Sequence, residues 1–221
     1  MTGLLTLITA VRDGMPFLAE MISSVREGQP ALPHIVIDDG SRDATPDTLA
    51  NLGDTLDVVQ LPESGGPAAA LNIALTRVKT PWFMMIDADD LLEPGYIAQV
   101  LSVLKTEPMP DLVYGQWREF GDAAARVRWA VREEQRTGYV TSGTVMRTAL
   151  AARLGGFDPS IRFGYFIDLR MRAISAGASE LVLPSLATMR RIHGGNMTIQ
   201  EPERMRDFLT IARAAAARSR T

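Results

Sequence analysis

Two clusters of aspartate each end an apolar run. Ile35-Val36-Ile37 leads into Asp38-Asp39-Gly40-Ser41-Arg42-Asp43-Ala44-Thr45, and Phe83-Met84-Met85-Ile86 leads into Asp87-Ala88-Asp89-Asp90. In an extended segment side chains alternate faces, so Asp87 and Asp89 point the same way with Ala88 turned between them. Their oxygens suit a hard cation, Mg²⁺ or Mn²⁺, that also bridges phosphate oxygens. Without a cation, neighbouring carboxylates repel one another. Asp38 and Asp39 can accept hydrogen bonds from a base imide or a ribose hydroxyl. Gly40 lets the backbone turn tightly beside a ligand. Taken singly, each cluster also reads as an ordinary Asp-rich turn or helix cap. Together they point to one sheet edge, because ligands of open α/β sheets bind outside the carboxyl ends of the strands.

The elements needed to hold these acids are visible as an alternation. Apolar strand runs at residues 4–10, 35–37, 56–61, 81–86 and 111–114 alternate with helical spacing at 17–25, 45 onward, 68–78 and 94–104. Thr45 reads as a helix cap with Pro46 in the first turn, and Gly65-Gly66-Pro67 as a break before a helix. This alternation predicts βαβ units and a mostly parallel sheet flanked by helices. The second half is less regular. Two strands are expected around Gly121-Asp122 within residues 116–131, helices at 144–154, 165–175 and 201–218, and short strands at 181–183 and 188–192. Phe208, Leu209 and Ile211 are the expected apolar contacts of the last helix. No repeat, linker or composition shift marks a boundary. We read one α/β domain over 1–221, divided into a nucleotide-binding half (1–115), an acceptor half with a small antiparallel element (116–200) and a C-terminal helix (201–221).

The 221 residues are 46% hydrophobic, enough for a sizeable core, and carry a net charge of -3. That balance argues against nucleic acid as the main partner. The absence of cysteine excludes disulfides and thiolate metal sites and fits a reducing compartment. No apolar run approaches the roughly 18 residues that span a bilayer. The N-terminus lacks the basic start of a signal peptide. A cytoplasmic setting is therefore expected.

Four segments, in order, resemble family 2 glycosyltransferases of the GT-A fold: Ile37-Asp38-Asp39-Gly40-Ser41-Arg42-Asp43-Ala44-Thr45; Gly65-Gly66-Pro67 with Asn72; Ile86-Asp87-Ala88-Asp89-Asp90; and Gly155-Gly156-Phe157-Asp158 followed by Asp168 and Arg172. The likeness runs over about residues 4–198. It implies a single GT-A domain and inverting transfer of a sugar from a nucleotide-diphosphate donor, UDP-linked, to a hydroxyl acceptor such as a glycan, a lipid-linked sugar or a small molecule. Residue by residue, it implies that Asp39 holds the base with Asp38 beside it, and that Ala10, Arg12, Gly65, Asn72, Asp87, Ala88 and Arg191 complete the donor contacts. Asp89, Asp87 and His193 are implied to hold a divalent cation, Mn²⁺ or Mg²⁺, and Asp168 to act as general base. The base makes the nucleophile, and the cation stabilises charge growing on the diphosphate.

The chain departs from the family pattern at three places. Ile167 stands before Asp168 where the family carries Glu, Leu71 replaces an Arg before Asn72, and Val11-Arg12-Asp13 replaces a stretch that often holds a base-stacking aromatic. Arg12 is expected to stack on the base or pair with phosphate. His193, in Arg190-Arg191-Ile192-His193-Gly194-Gly195-Asn196, reads either as a metal or phosphate ligand or as an ordinary hydrogen-bonded histidine. Of adjacent Arg190 and Arg191, one faces the site and the other solvent. Residues 141–143 read as an acceptor-pocket lining or as a loop leading into a helix. Trp117, Trp129, Phe163 and Tyr165 read as a sugar-stacking wall or as core. Met84 and Met85 read as core. Arg204, Arg206, Arg213, Arg218 and Arg220 form either a solvated face or a peripheral contact with an anionic membrane carrying a lipid-linked acceptor. A homodimer is compatible with all of this. A nucleotide-sugar-binding protein without activity is the main alternative, since fold alone does not grant catalysis. An Asp-x-Asp phosphatase and a sugar-phosphate nucleotidyltransferase match the motif positions poorly.

Overall fold

A computed structural model describes residues 3–27, 32–196 and 204–218. The strands are β1 (Leu5–Val11), β2 (His34–Asp38), β3 (Asp57–Gln60), β4 (Trp82–Met85), β5 (Leu91–Leu92), β6 (Leu112–Phe120), β7 (Val145–Arg147) and β8 (Glu180–Arg191). The helices are α1 (Leu18–Arg26), α2 (Thr45–Asn51), α3 (Pro67–Arg77), α4 (Tyr96–Val103), α5 (Ala123–Trp129), α6 (Thr148–Arg153), α7 (Tyr165–Ser175) and α8 (Arg204–Arg218). The strands form one sheet in the order β3-β2-β1-β4-β7-β6-β8-β5. β1 to β4 pair in parallel; β7 runs against both β4 and β6; β8 lies parallel to β6. Two reversals restore direction, so β8 ends at the same sheet edge as β1, β2 and β4.

The sheet is buried on both faces. Leu5, Leu7, Val36, Trp82, Met84, Val113 and Val145 pack with α1 and α4. Ile8, Ile35, Ile37, Phe83, Met85, Leu112 and Met146 pack with α3, α6 and α7. Adjacent residues thus serve opposite layers, which is why these strands read as continuous apolar runs. Met84 and Met85 are fully buried core residues, as expected.

Five expectations are corrected. Residues 123–129 form helix α5, not a strand: Asp122 caps it by accepting from Ala125 N–H at 2.7 Å, ahead of three helix-favouring alanines. Helix α6 starts only at Thr148, because Val145 and Met146 are inserted between β4 and β6. A short apolar run of this kind cannot be told from a helix by periodicity. The two short strands at 181–192 are one strand, β8, which crosses Pro184 with register shifts opposite Tyr114 and Trp117; proline is tolerated where pairing is irregular. Thr45 is the first helical residue and makes no cap; its hydroxyl instead accepts from Gly14 N–H at 2.8 Å. In α8, Ile211 is buried and Phe208 lies against Gly164, while Leu209 faces solvent at 50% exposure. Strand β5 had no signal, being two residues long.

Met197, Thr198, residues 199–203 and Arg220 lie outside the described residues, as does the side chain of Arg204. Arg206 and Arg213 are exposed. Among the described residues no helix is long and apolar enough to cross a membrane.

Candidate active site

The acid-bearing loops meet where the parallel strands end. Val11 pairs with Asp38 across β1 and β2, and Asp39 N–H donates to Val11 O at 2.8 Å. The loops after β1 and β2 are cross-braced. Asp13 N–H donates to Ser41 Oγ (2.9 Å), Arg42 N–H to Asp13 Oδ1 (2.7 Å) and Met15 N–H to Asp43 Oδ2 (3.0 Å). Asp43 resists the upward push of its partial burial: hydrogen bonds from Thr45 and Met15 hold its carboxyl below the usual range. Asp38 accepts from Ser41 N–H at 2.9 Å, an Asx-type turn.

Asp39 is buried and already engaged. Oδ2 accepts from Ser64 Oγ–H (2.6 Å) and Gly66 N–H (2.9 Å), and Oδ1 from Gly65 N–H (2.8 Å). Its charge thus fixes the turn that opens α3. Gly66 sits at φ +87° in that turn, a conformation that glycine adopts freely. With three hydrogen bonds accepted, Asp39 keeps one lone pair for a further donor. Asn72, expected among the donor contacts, is also committed. Its Oδ1 accepts from Phe157 N–H and its Nδ2 donates to Phe157 O, both at 2.8 Å. A Cβ on Gly156 would stand 2.4 Å from Asn72 Oδ1, at a φ of +72°. Asn72 and Gly156 together clasp α3 to the loop after α6.

The loop after β4 carries the densest charge. Ser142 Oγ accepts from Asp87 N–H at 3.0 Å and donates to Asp90 Oδ2 at 2.6 Å. Asp90 Oδ1 accepts from Arg191 N–H at 2.9 Å, so Asp90 joins this loop to the end of β8. Burial first, then Asp89 and Asp87, push the Asp90 carboxyl far up. Asp87 is pushed up to about 7 by burial and by Asp89, against the relief given by Arg190 and Ser142. Residues 141–143 lead into β7, not a helix, and Ser142 is buried beneath the acids.

Asp89 and His193 meet. His193 Nε2 lies 3.0 Å from Asp89 Oδ2, which also accepts from Asn196 Nδ2–H at 3.0 Å. His193 packs at a tilt against Phe17, ring centroids 4.4 Å apart and planes at 53°. Asp89 and His193 bring together a carboxylate oxygen and an imidazole nitrogen, donor types that would suit Mn²⁺ or Mg²⁺. Among the described residues no three carboxylate or imidazole groups close into a ready cation cage. A two-ligand half-site is the usual form where phosphate oxygens complete the shell. Gly195 N–H donates to His193 Nδ1 at 3.1 Å, which leaves the proton on Nε2. A cation held by Nε2 would need the ring proton on Nδ1 instead, at the cost of the Gly195 contact.

The remaining expected residues divide. Ala10 and Ala88 are half-buried at this edge, and exposed Arg12 lies 3.8 Å from Asp13. Arg191 turns away from the acids' side chains. Its Nε donates to Asp89 O (2.9 Å), Nη2 to Glu20 (2.6 Å), and its guanidinium stacks on Phe17 and Phe120. Arg190 is the arginine whose charge reaches Asp87, while it also pairs with Glu119 at 3.6 Å. Of the expected aromatic wall, Phe163 is buried and Trp117 takes the Arg136 guanidinium over its ring. Tyr165 packs edge-on against Phe157, and burial, then the charge of Asp87, pushes its phenol well up. Asp168 is only 5% exposed and is held by Arg172 at 2.8 Å and Arg218 at 3.9 Å. Asp168, implied by the resemblance as the general base, is thus ion-paired in this structure. Sequence reasoning missed Asp90 and Ser142 as struts, since nothing in a Ser or a third Asp signals a buried bridge.

Residues 6–170 match Glycosyl transferase family 2. The chain belongs to this family. It is 25% identical over 215 residues to the succinoglycan biosynthesis protein ExoU of Rhizobium meliloti (strain 1021), covering 87% of this chain and 63% of that protein. The chain thus spans less than two thirds of that relative. By structure it resembles S. aureus TarS 1-349 in complex with UDP-GlcNAc, with TM-score 0.77 and 17% identity over 97% of this chain and 66% of that one. It also resembles the mannosyltransferase PcManGT from Pyrobaculum calidifontis in complex with GDP-Man and Mn²⁺, with TM-score 0.65 and 21% identity over 83% of this chain and 55% of that one. The fold is the mixed α/β sheet shared by these glycosyltransferases, and family 2 membership makes the chain a glycosyltransferase domain.

Proposed function

We propose that this family 2 domain transfers a sugar, with inversion, from a nucleotide-diphosphate donor, UDP-linked, assisted by Mn²⁺ or Mg²⁺. The observation that carries this reading is the Asp89–His193 pair, 3.0 Å apart beside Asp87 at the edge where β1, β2, β4 and β8 end. Asp89 and His193 hold the cation, and Asp87 faces the cation or the donor ribose. The cation stabilises the charge that develops on the departing diphosphate. Residues 1–115 form the donor half and 116–200 the acceptor half. Asp38, Asp39 and the 64–66 turn border the base, and Arg190 supplies positive charge beside Asp87. The neighbours named above were solved with UDP-GlcNAc and with GDP-Man and Mn²⁺, which supports the donor class.

A second reading, donor binding without transfer, is favoured by one observation: the ion-paired burial of Asp168. A thermal-shift panel of UDP-, GDP- and dTDP-sugars with Mn²⁺ tests the donor assignment, because a ligand that binds the native state raises Tm. UDP-sugars with Mn²⁺ are expected to give the largest rise. No rise with any of them would refute the proposal.

A further inference from the structure

The chain leaving β8 folds around the Asp89–His193 pair, and one buried amide closes the fold. Arg191 anchors the segment at its start. Its N–H donates to Asp90 Oδ1 and its Nε to Asp89 O, both at 2.9 Å. Ser142 holds Asp90 from the other side, donating to Oδ2 at 2.6 Å. The chain then turns over His193–Asn196, where Asn196 N–H donates to His193 O at 3.1 Å. A Cβ on Gly195 would stand 3.0 Å from Cε1 and Nδ1 of the His193 ring. The imidazole therefore lies back over its own turn, with Nε2 at Asp89.

Asn196 is only 7% exposed, and its amide makes three bonds. Oδ1 accepts from His193 N–H at 2.7 Å, and Nδ2 donates to Asp89 Oδ2 at 3.0 Å and to Arg191 O at 3.1 Å. Nδ2 faces two oxygens and Oδ1 faces an N–H, so only this orientation of the amide satisfies its surroundings. One side chain thus joins the Asp89 carboxylate, the backbone that carries the imidazole and the end of β8. None of the three bonds passes through a ring nitrogen of His193. They hold whichever ring nitrogen carries the proton. The contact of Nε2 with Asp89 and that of Nδ1 with Gly195 both depend on the tautomer.

Resting on the cation-assisted reading above, we propose that Asn196 is a positioning residue of the Asp89–His193 pair, its amide holding the Asp89 carboxylate and the His193 backbone in one arrangement whether or not a divalent cation is bound. Asp89 Oδ2 lies within bonding distance of two N–H groups, those of His193 Nε2 and Asn196 Nδ2. When Nε2 takes a cation in place of its proton, the imidazole donor is lost. The Asn196 N–H remains and still orients the carboxylate, as the outer partners of metal-binding side chains do. A neutral amide suits this task, because it donates to the oxygen without adding charge. A carboxylate at position 196 would face Asp89 Oδ2 and Arg191 O with another oxygen. That is repulsive without a cation and an extra ligand with one.

The test uses the full chain with UDP and Mn²⁺, read by calorimetry and by melting. Asn196→Ala removes the three side-chain bonds. It is expected to keep the UDP affinity measured without Mn²⁺, and to bind Mn²⁺ in the presence of UDP about tenfold more weakly than the native chain. Asn196→Asp is nearly isosteric and reverses only the donor. Without a cation it is expected to melt below the native chain. Mn²⁺ alone, with no nucleotide, is expected to raise its Tm more than that of the native chain, because a ligand bound more tightly by the folded state stabilises it more. A purely structural amide would lower both melting points and leave the Mn²⁺ response of each variant native. That result would overturn the proposal, as would an undiminished Mn²⁺ affinity in Asn196→Ala. If Asn196→Ala does not fold, the Tm response of Asn196→Asp to Mn²⁺ decides. A native chain whose UDP affinity Mn²⁺ does not change would instead remove the cation reading itself.

Discussion

Single residues in this site are held by contacts that fix their chemical state. His34 is an example beneath the site. Thr9 Oγ1 donates to Ile86 O at 2.9 Å, so its proton is used, and His34 Nε2 must donate to Thr9 Oγ1 at 3.0 Å. Nδ1 is then a buried acceptor with no partner. Burial, then the charge of Arg26, lowers the His34 pKa to about 3. The folded protein holds this ring neutral, whereas the unfolded chain takes a proton below about 6.5. The folded state therefore binds fewer protons, and stability falls as pH drops from 6.5 toward 3. His34 is expected to remove ~2 kcal/mol of stability at about pH 5 relative to neutral pH. Urea unfolding of the native chain and of His34→Leu at both pH values checks this. The variant should lose this part of the acid dependence, and an identical slope in both proteins would contradict it.

The elements place residues that their types alone do not assign. Asn72 on α3 and Phe157 after α6 are 85 positions apart, yet two 2.8 Å bonds join them. Asn72→Ala leaves the Phe157 N–H and C=O without partners, a cost of ~2 kcal/mol. In a domain of this size that lowers Tm by roughly 4–8 °C. Melting and UDP calorimetry on the variant separate the roles. A lower Tm with UDP affinity nearly unchanged is expected, and lost affinity at unchanged Tm would return Asn72 to the donor site. The sequence shows where elements lie when their pattern is long. The alternation through β4 and α4 was legible because strands buried on both faces give apolar runs of strand length. Strand β7 was not, because three residues inside a sheet carry no period. Likewise Asp87 and Asp89 were legible as one locus from types and spacing, and His193 joined them only through the family resemblance. The commitments of Asp39, Asn72 and Asp168 were not, because each depends on partners brought in by tertiary packing.

At the scale of the whole molecule, two reversals through β7 and β6 bring the end of β8 back to the edge where β1, β2 and β4 end. That route sets His193 beside Asp89, 104 residues earlier in the chain, a pairing that neither half of the chain has alone and that the proposed function assigns to a cation. On the proposed function the donor's diphosphate would supply the remaining ligands, so cation and nucleotide should bind cooperatively. Calorimetric titration of UDP, with and without Mn²⁺, into the native chain, Asp89→Ala and His193→Ala measures this coupling directly. The native chain is expected to bind UDP at least about tenfold more tightly with Mn²⁺, a coupling of ~1.4 kcal/mol, and each variant to lose that gain while keeping its fold. Equal UDP affinity with and without Mn²⁺ in the native chain, or an undiminished gain in Asp89→Ala, would contradict the account.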